Sequence, residues 1–316
     1  MAYTYISVAT TAAIRMGLHQ ADSLSDFDAI GKEIRKRIFW TLRVMDSYIT
    51  TVLDLPRTLS EEETDQLFPE SVDDAYITRT GIKKPHQPCL MASTNAHISL
   101  ARILYKVKKI ASGSKDHEQK PSNRWQVDYA RVVEAEQELA KWLNELPTHS
   151  EHPAQLQRDM ERYACFQVMT SQANSFLRSQ LLLRVAHAHV QMVLYRPFLH
   201  HIGRRKTDSK FDYRAFACAS ACVKAARQVI WLTEALNDAG LLRGPLWLLF
   251  FTLFMAVVSS IMFVITNKED PTAGEYYAAA QRGFKILEKF ASSNQMARNY
   301  TDSLRVGGGY VLYWCC

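Results

Sequence analysis

The chain has 316 residues, of which 47% are hydrophobic and 22% are charged, and its formal net charge is +6. This length allows one large domain or two ordinary ones, and the composition is typical of a globular protein. The charge is too mild to indicate nucleic-acid binding unless the basic residues cluster. With only 12 Gly and 10 Pro, the chain is not a low-complexity protein, and long helices are favoured.

The six cysteines are few and irregularly spaced, and none forms a Cys-x-x-Cys pair. This argues against a disulfide scaffold and favours a reducing compartment. The first 18 residues lack the charged start and apolar block of a signal peptide. They have helical periodicity instead, and Gly17-Leu18 predicts the end of that helix. Because no capping residue precedes the helix, we expect the chain to begin within a domain.

The second predicted helix has an apolar stripe at steps of three and four residues. The stripe consists of Ile34, Ile38, Leu42, Met45, Ile49 and Val52. Arg35, Lys36 and Arg43 lie off it, so we predict that the stripe packs in the core and that the basic residues face solvent. Pro56 ends the helix.

Further helices are predicted over residues 89–111, 132–146, 156–195, 211–239, 245–266 and 273–292. Between the second and third helices, the Pro-rich residues 55–88 predict an extended connecting segment. No segment has strand periodicity. The predicted fold class is therefore all-α, a multi-helix bundle or array, with one domain over 1–305. Residues 306–316 form an atypical tail that we interpret as a gene-model artefact.

The run from Leu246 to Thr266 contains no charged residue and is long enough to span a membrane. A core helix that is buried on all sides gives the same pattern. Its hydroxyl residues and the lack of a Lys/Arg asymmetry at its flanks favour the core helix. We expect the small residues Ala217, Ala221 and Ala225 to let the preceding helix approach it closely.

Known catalytic patterns are missing from the sequence: it contains no Gly-x-Ser-x-Gly elbow, no phosphate-binding loop and no dinucleotide fingerprint. Cys218 and Cys222 are four residues apart, but a zinc site needs two further ligands. His187 and His189 point in different directions on a helix, and His200-His201 is expected to be solvated. We therefore assign no catalytic, cofactor-binding or metal-binding residue.

Two clusters of basic residues are present. Arg35-Lys36-Arg37 is interpreted as a solvated helix face, and Arg204-Arg205-Lys206 as a loop that could serve in nuclear import. Neither is interleaved with aromatic residues as in proteins that bind single strands.

Several motifs resemble the regulatory (middle homology) domain of fungal zinc-cluster transcription factors, in the branch of xylanolytic-activator-like regulatory domains. Ala13-Ile-Arg-Met-Gly-Leu-His19 resembles the end of a family helix, and Glu33-Ile-Arg-Lys-Arg-Ile-Phe-Trp40 resembles its hallmark helix. Leu55-Pro56-Arg57, Leu194-Tyr195-Arg196-Pro197-Phe198-Leu199 and Cys222-Val-Lys-Ala-Ala226 follow in the family's order. Asp54 departs from the pattern, because the family usually has Gly there.

The family-signature residues are interpreted as structural. They are Gly17, Leu18, His19, Glu33, Arg37, Trp40, Asp46, Pro56, Arg196, Pro197 and Cys222. Trp40 is expected to anchor its helix in the core, and Asp46 to take an Arg or a helix N-terminus as partner. Arg196 is expected to reach carbonyls at the end of its own helix.

The resemblance implies a nuclear regulator of transcription that is not an enzyme. It also implies that zinc and DNA are bound by a six-cysteine module that this sequence lacks, with co-regulators, a small-molecule effector or a homodimer as further partners of the full-length form. Two alternatives stay open: an all-α enzyme or small-molecule carrier, and a single-span membrane protein through 246–266.

Overall fold

A computed structural model describes residues 2–59, 63–83, 89–112, 129–146, 171–203, 212–244 and 246–306. In these ranges the fold is all-α, as predicted. The helices are α1 (Ala2–Arg15), α2 (Ala29–Val52), α3 (Leu90–Ala111), α4 (Tyr129–Asn144), α5 (Ser171–Tyr195), α6 (Tyr213–Asp238), α7 (Trp247–Thr266), α8 (Ala273–Phe290) and α9 (Gln295–Val306).

The chain divides into two compact units. The first comprises residues 1–106 and 133–183, and the second comprises residues 107–132 and 184–316. The predicted division into a domain over 1–305 and a tail stays a prediction, because residues 307–316 lie outside the described ranges.

Helix α1 ends as Gly17-Leu18 predicts. The Leu18 amide donates to the Ala13 carbonyl at 2.9 Å and the Gly17 amide donates to the Ile14 carbonyl at 2.9 Å. These are the two hydrogen bonds of a Schellman motif. Gly17 has a φ of +70°, which a side chain would strain. The turn directs the chain through a short 3₁₀ segment to α2, where the Asp28 side chain caps the helix by accepting from the Gly31 amide.

The side of α2 that faces the core is only partly the predicted one. Of the predicted stripe, Ile49 is buried and Leu42 packs against the core cluster. Ile34, Ile38 and Met45 are 52%, 46% and 36% exposed, whereas Lys36 and Arg43 are buried. The basic cluster Arg35-Lys36-Arg37 is therefore not a solvated face. Apolar side chains from α1, α2, α3 and the connector still form a core cluster that includes Phe39 and Trp40, but the rest of the buried face of α2 is largely polar.

Helix α2 ends at Val52, before Pro56 as predicted. Asp54 has a φ of +51°, and the Leu55 amide donates to the Thr50 carbonyl at 2.9 Å. Asp54 thus takes the left-handed conformation that glycine favours, which aspartate adopts more readily than most residues. The same turn therefore forms with Asp54 in place of the family's glycine.

The connector after α2 is extended, as predicted, but it contains one short antiparallel hairpin. Strands β1 (Ile77–Thr78) and β2 (Gly81–Ile82) pair Ile77 with Ile82 and Thr78 with Gly81. The expectation that no strand occurs is therefore wrong at this point. A two-residue strand has no periodicity that a sequence pattern could show.

The Trp142 side chain of α4 joins this helix to the backbone of α3. On α4, Val132, Ala135, Leu139 and Trp142 are buried as predicted. The Trp142 indole Nε1 donates to the Ala96 carbonyl at 2.8 Å. The predicted helix over 156–195 is seen from Ser171 to Tyr195, and its residues 156–170 lie outside the described ranges. Arg196-Pro197 ends it and begins a 3₁₀ turn over Arg196–His201.

In the second unit, α7 packs against both α6 and α8. Eleven of its 20 side chains are buried in this unit, as in a core helix, although the helix is not buried on every side. Gly283 of α8 lies close to it, because a Cβ there would lie 2.7 Å from Val257 Cγ2. The predicted close approach through Ala217 and Ala221 is wrong, since Ala217 is exposed and Ala221 is only partly buried.

Within the part of the chain that the structure describes, two helices are long and apolar enough to cross a membrane by length and composition, namely α6 and α7. About half of each apolar window is buried inside the protein, 50% for α6 and 56% for α7. Core helices of soluble proteins pass the same test.

The last part of the described chain contains a helix that was not predicted. Helix α8 ends at Phe290, near the predicted end, and α9 follows. Asn294 caps α9, because its Oδ1 accepts from the amides of Met296 at 2.9 Å and Ala297 at 3.1 Å. A capping asparagine before a helix is a recognisable signal.

Candidate functional site

Helix α2 presents a row of polar side chains to the connector. Glu33, Arg37, Trp40 and Arg43 follow one another at steps of four, three and three residues and so share one face of the helix. Arg37 is partly exposed and the other three are buried. We call this row the polar ladder, because each member forms hydrogen bonds with successive parts of residues 59–74.

Glu33 and Arg37 bind the far end of this segment. Both carboxylate oxygens of Glu33 accept from the Glu70 amide, at 3.0 and 3.2 Å. Arg37 Nε donates to Glu33 at 3.0 Å, Nη1 donates to Asp74 at 2.5 Å and Nη2 donates to the Val72 carbonyl at 3.4 Å. Burial works against the charge of Arg37, but the bonds to Asp74 and Glu33 raise its pKa.

Trp40 and Arg43 bind the near end. The Trp40 Nε1 donates to the Leu67 carbonyl at 2.9 Å, and its ring meets Phe68 edge to face at 4.7 Å. Arg43 Nη1 donates to the Leu59 carbonyl at 2.5 Å. The connector has an irregular backbone, so its buried N–H and C=O groups need side-chain partners. The polar ladder supplies them, and the prediction that Trp40 anchors α2 in the core is confirmed.

Asp46 lies beside the ladder and is almost fully buried. Its Oδ1 accepts from Thr58 Oγ1 at 3.4 Å. Burial raises the pKa of Asp46, while the charges of Arg57 and Arg43 oppose that rise. The predicted arginine partner is thus present as a nearby charge, although the hydrogen bond comes from Thr58.

Arg57 joins the connector to α3. Its guanidinium stacks on the Tyr105 ring at 3.8 Å and donates to Ser47 Oγ and to the Ala101 carbonyl. Together with Trp40 it lines a crevice of about 10 Å³. That volume holds about one water molecule, whereas pockets for small molecules measure about 300–1,000 Å³.

The turn after α1 contacts the same connector. Gln66 Nε2 donates to the Leu18 carbonyl at 2.9 Å, and the Asp65 amide donates to the His19 carbonyl at 3.3 Å. Pro56 is exposed, and its carbonyl accepts from the Tyr3 hydroxyl at 3.4 Å. The first unit therefore gathers eight signature residues around one segment: Gly17, Leu18, His19, Glu33, Arg37, Trp40, Asp46 and Pro56.

The remaining signature residues lie in the second unit. Arg196 is exposed and Pro197 follows it in the 3₁₀ turn. Cys222 is fully buried on α6, and its Sγ donates to the Met192 carbonyl of α5 at 3.8 Å. The predicted contact of Arg196 with carbonyls of its own helix stays a prediction.

Three residues of the site were missed from the sequence: the buried Arg43 and Gln66, and the partly buried Arg57. The signal for Arg43 was present, since it continues the three-and-four spacing of Glu33, Arg37 and Trp40 along α2. Arg57 and Gln66 lie in irregular structure, where no periodicity marks a residue as buried.

The histidines of α5 are buried in the core of the second unit. Burial lowers the pKa of His187 and of His189 to about 4. His189 Nδ1 and Thr252 Oγ1 of α7 are 3.2 Å apart. His200 is exposed as expected, but His201 is partly buried. Within the described ranges, no group of three or more His, Cys, Asp or Glu could hold a metal ion, so the residues seen here do not fit zinc.

Comparison with known proteins gives one family match. Residues 1–151 match the fungal specific transcription factor domain. No solved structure matches the chain significantly.

Curated relatives match along most of this chain. It is 32% identical over 293 residues to Activator of stress genes protein 1 of Candida albicans, covering 87% of this chain and 29% of that protein. It is 31% identical over 305 residues to Activator of stress genes 1 of Saccharomyces cerevisiae, covering 93% and 29%. Transcriptional activator protein acu-15 of Neurospora crassa is 32% identical over 148 residues, covering 46% and 15%. The chain thus spans less than a third of the length of these relatives.

Proposed function

We propose that this chain carries a regulatory domain of a fungal transcription factor, because residues 1–151 match the fungal specific transcription factor domain, and that it regulates through protein contacts and not through catalysis. The polar ladder is the observation that carries this proposal. It holds the connector on α2 by hydrogen bonds. A partner that contacts the connector would therefore act on α2 through this hydrogen-bond network.

The chemistry of the ladder supports a structural role. Its carboxylate and guanidinium groups are already bonded to backbone or to each other, so they are engaged in holding the fold. The crevice beside it has room for about one water molecule, and this favours contacts with proteins over a small-molecule effector.

The remaining expectations belong to the longer protein and are proposals. DNA would be contacted by a zinc-binding module outside these 316 residues, and the protein would act in the nucleus. The names of the relatives, activators of stress genes and a transcriptional activator, favour activation. In this proposal α7 is a core helix of the second unit and the chain needs no membrane.

A tethering experiment tests the proposal. The chain is fused to a heterologous DNA-binding domain in yeast, and output from a matching reporter is compared with the DNA-binding domain alone. We expect the fusion to change the output severalfold, and Glu33→Gln to diminish that change at equal protein level. An output equal to that of the DNA-binding domain alone would contradict the proposal.

A gel-shift titration tests where DNA contacts lie. The chain alone is expected to bind duplex DNA weakly and without sequence preference at physiological salt, because affinity for DNA depends on concentrated phosphate contacts. Sequence-specific binding at nanomolar protein would place DNA recognition within this chain and contradict this part of the proposal.

A further inference from the structure

Ser71 is an exposed serine in the part of the connector that the polar ladder holds. The amide of the residue before it donates to Glu33, and the carbonyl of the residue after it accepts from Arg37 at 3.4 Å. The Ser71 hydroxyl itself accepts from Nδ2 of Asn95 on α3 at 3.0 Å. A surface hydroxyl therefore lies between two backbone groups that bind the connector to α2.

The local backbone suits an enzyme that modifies side-chain hydroxyls. Residues 64–73 lie outside helices and strands, and irregular surface segments are where other proteins most readily gain access to a chain. Serines within helices have different surroundings. Ser47, Ser259 and Ser260 are buried and donate to carbonyls of their own helices. Ser71 instead combines an exposed hydroxyl with an irregular backbone.

Acidic residues lie on both sides of Ser71 in the sequence. Asp73 and Asp74 occupy the second and third positions after it, and Glu70 precedes it. Protein kinases select their substrates partly by charge pattern. A kinase with a basic substrate groove would bind this acidic pattern, whereas one that selects basic residues would not. The sequence around Ser71 therefore fits a serine kinase that selects acidic residues after the serine, which we call an acid-directed kinase.

A phosphate on Ser71 would oppose the bonds of the polar ladder. It carries about −1.5 to −2 charges at pH 7, and the ladder contacts beside Ser71 already include the carboxylates of Glu33 and Asp74. Like charges this close repel one another. Arg37 is bonded to both carboxylates. If Arg37 turned to the phosphate instead, Glu33 and Asp74 would lose this partner, so bonds that hold the connector are weakened in either case.

Access to Ser71 depends on the same bonds. Val72 is 2% exposed and Pro69 is also buried. A kinase that binds residues on both sides of Ser71 therefore needs the connector to open locally. Energetic coupling between two events is reciprocal. Loosening the ladder should therefore speed phosphorylation, and phosphorylation should loosen the ladder.

We propose that Ser71 is a phosphorylation site of an acid-directed serine kinase, and that its phosphate releases the connector from α2. In this transfer, the Ser71 oxygen forms a bond to the γ-phosphorus of a nucleoside triphosphate. The bond from that phosphorus to the bridging oxygen breaks, the hydroxyl proton passes to a base of the kinase, and the nucleoside diphosphate leaves. The proposal rests on the regulatory function proposed above and names a means of controlling it.

The first test measures phosphorylation of the intact 316-residue chain by a purified acid-directed serine kinase with ATP and Mg²⁺, and assigns the sites by fragment mass spectrometry. We expect phosphate on Ser71, added severalfold more slowly in Asp73→Asn and about tenfold faster in Glu33→Ala. Ser25 is the internal reference, because it is exposed, is followed by two aspartates and bonds to the neighbouring Asp26. Its rate should be the same in all three chains.

Three outcomes of this test overturn the proposal. The first is phosphate on Ser25 without phosphate on Ser71. The second is an equal Ser71 rate in Asp73→Asn and wild type, which would exclude recognition of the acidic residues. The third is an equal Ser71 rate in Glu33→Ala and wild type, which would exclude coupling to the ladder.

The second test incorporates phosphoserine at position 71 during synthesis of the chain and measures hydrogen exchange over residues 66–76. We expect exchange about tenfold faster than in the unmodified chain, and unchanged exchange within α7, because the release is local. Phosphoserine at position 25 is the matched control and should leave exchange over residues 66–76 unchanged. Equal or slower exchange with phosphoserine at position 71 overturns the proposal, as does an increase of the same size in α7. If Ser71 fails these tests while the tethered chain still changes reporter output, this proposal is refuted and the regulatory one stands.

Discussion

Glu33 is the position where the polar ladder can be tested most sharply. Glu33 is 2% exposed. Both of its carboxylate oxygens accept a hydrogen bond from the Glu70 amide, and one of them also accepts from Nε of Arg37. Glu33→Ala removes all three bonds and leaves the Glu70 N–H without its partner. Glu33→Gln keeps the shape and one acceptor oxygen but removes the charge.

The expected magnitudes follow from these contacts. A hydrogen bond to a charged group contributes about 1.5–3 kcal/mol, and leaving a buried donor unsatisfied costs about 1–3 kcal/mol. The side chain of Arg37 is 25% exposed, so it can be rehydrated and its lost partner adds little. We therefore expect Glu33→Ala to lower the free energy of unfolding of the first unit by about 3 kcal/mol, and Glu33→Gln by about half of that.

Hydrogen exchange over residues 66–72 reports on this contact directly. A loss of about 3 kcal/mol corresponds to exchange about a hundredfold faster if the segment opens locally. Urea unfolding gives the same comparison for the whole unit. Glu134→Ala is the control, because Glu134 is exposed on α4 and such changes stay within about 0.5 kcal/mol. Equal exchange rates in wild type and Glu33→Ala would refute the ladder as the support of the connector.

Three further predictions concern packing and titration. Trp40→Ala should lower the free energy of unfolding by about 3–5 kcal/mol in thermal or urea unfolding. Ile38→Asp should lower it by less than about 1 kcal/mol, because Ile38 is exposed. A larger loss for Ile38→Asp would show that the apolar stripe of α2 packs in the core after all. Gly283→Ala should destabilise the protein by about 1–3 kcal/mol, because its Cβ would clash with Val257. Gly274 has open space around it, so Gly274→Ala should be neutral or stabilising. Equal melting temperatures of the two variants would contradict the close approach of α7 and α8. The pKa of His189 is about 4 in the folded protein and 6.5 in the unfolded chain. The stability should therefore be intact above pH 6.5 and fall by up to about 3 kcal/mol as the pH drops to 4. His189→Gln should reduce this fall, and a pH profile that is the same in the variant and the wild type would argue against burial of the ring.

Helix positions could be predicted because local signals determine them. Gly17 and Gly240 both take positive φ values at helix ends, and Arg196-Pro197 stops α5 where the sequence indicates. The Asn294 cap before α9 is a signal of the same kind that we did not use. These features depend on a few neighbouring residues, so a single sequence shows them.

The buried face of α2 could not be predicted in the same way. An apolar stripe and a polar row both occur at helical spacing on this helix, and periodicity alone favours the apolar one as core. The structure buries the polar row, because the segment packed there is irregular and needs hydrogen-bond partners. Which segment packs on a helix is decided by tertiary structure. Residues such as Gln66, which complete the contact, lie in no sequence pattern that would mark them as buried.

The two faces of α2 differ in how much they contribute to the stability of the fold. Polar residues on the buried face contact the connector, so their loss should be measured as a change in unfolding or in exchange. Apolar residues on the exposed face contact little within the chain, so the free energy of folding does not explain why three long aliphatic side chains are placed there. Water contact with these side chains is unfavourable by about 25 cal/mol per Å², and this cost disappears only when another surface covers them. Changes at Glu33 and at Ile38 should therefore differ in size, with a large loss of stability for the first and a small one for the second. A variant of the exposed face that lowers stability as much as Glu33→Ala would show that both faces serve the fold.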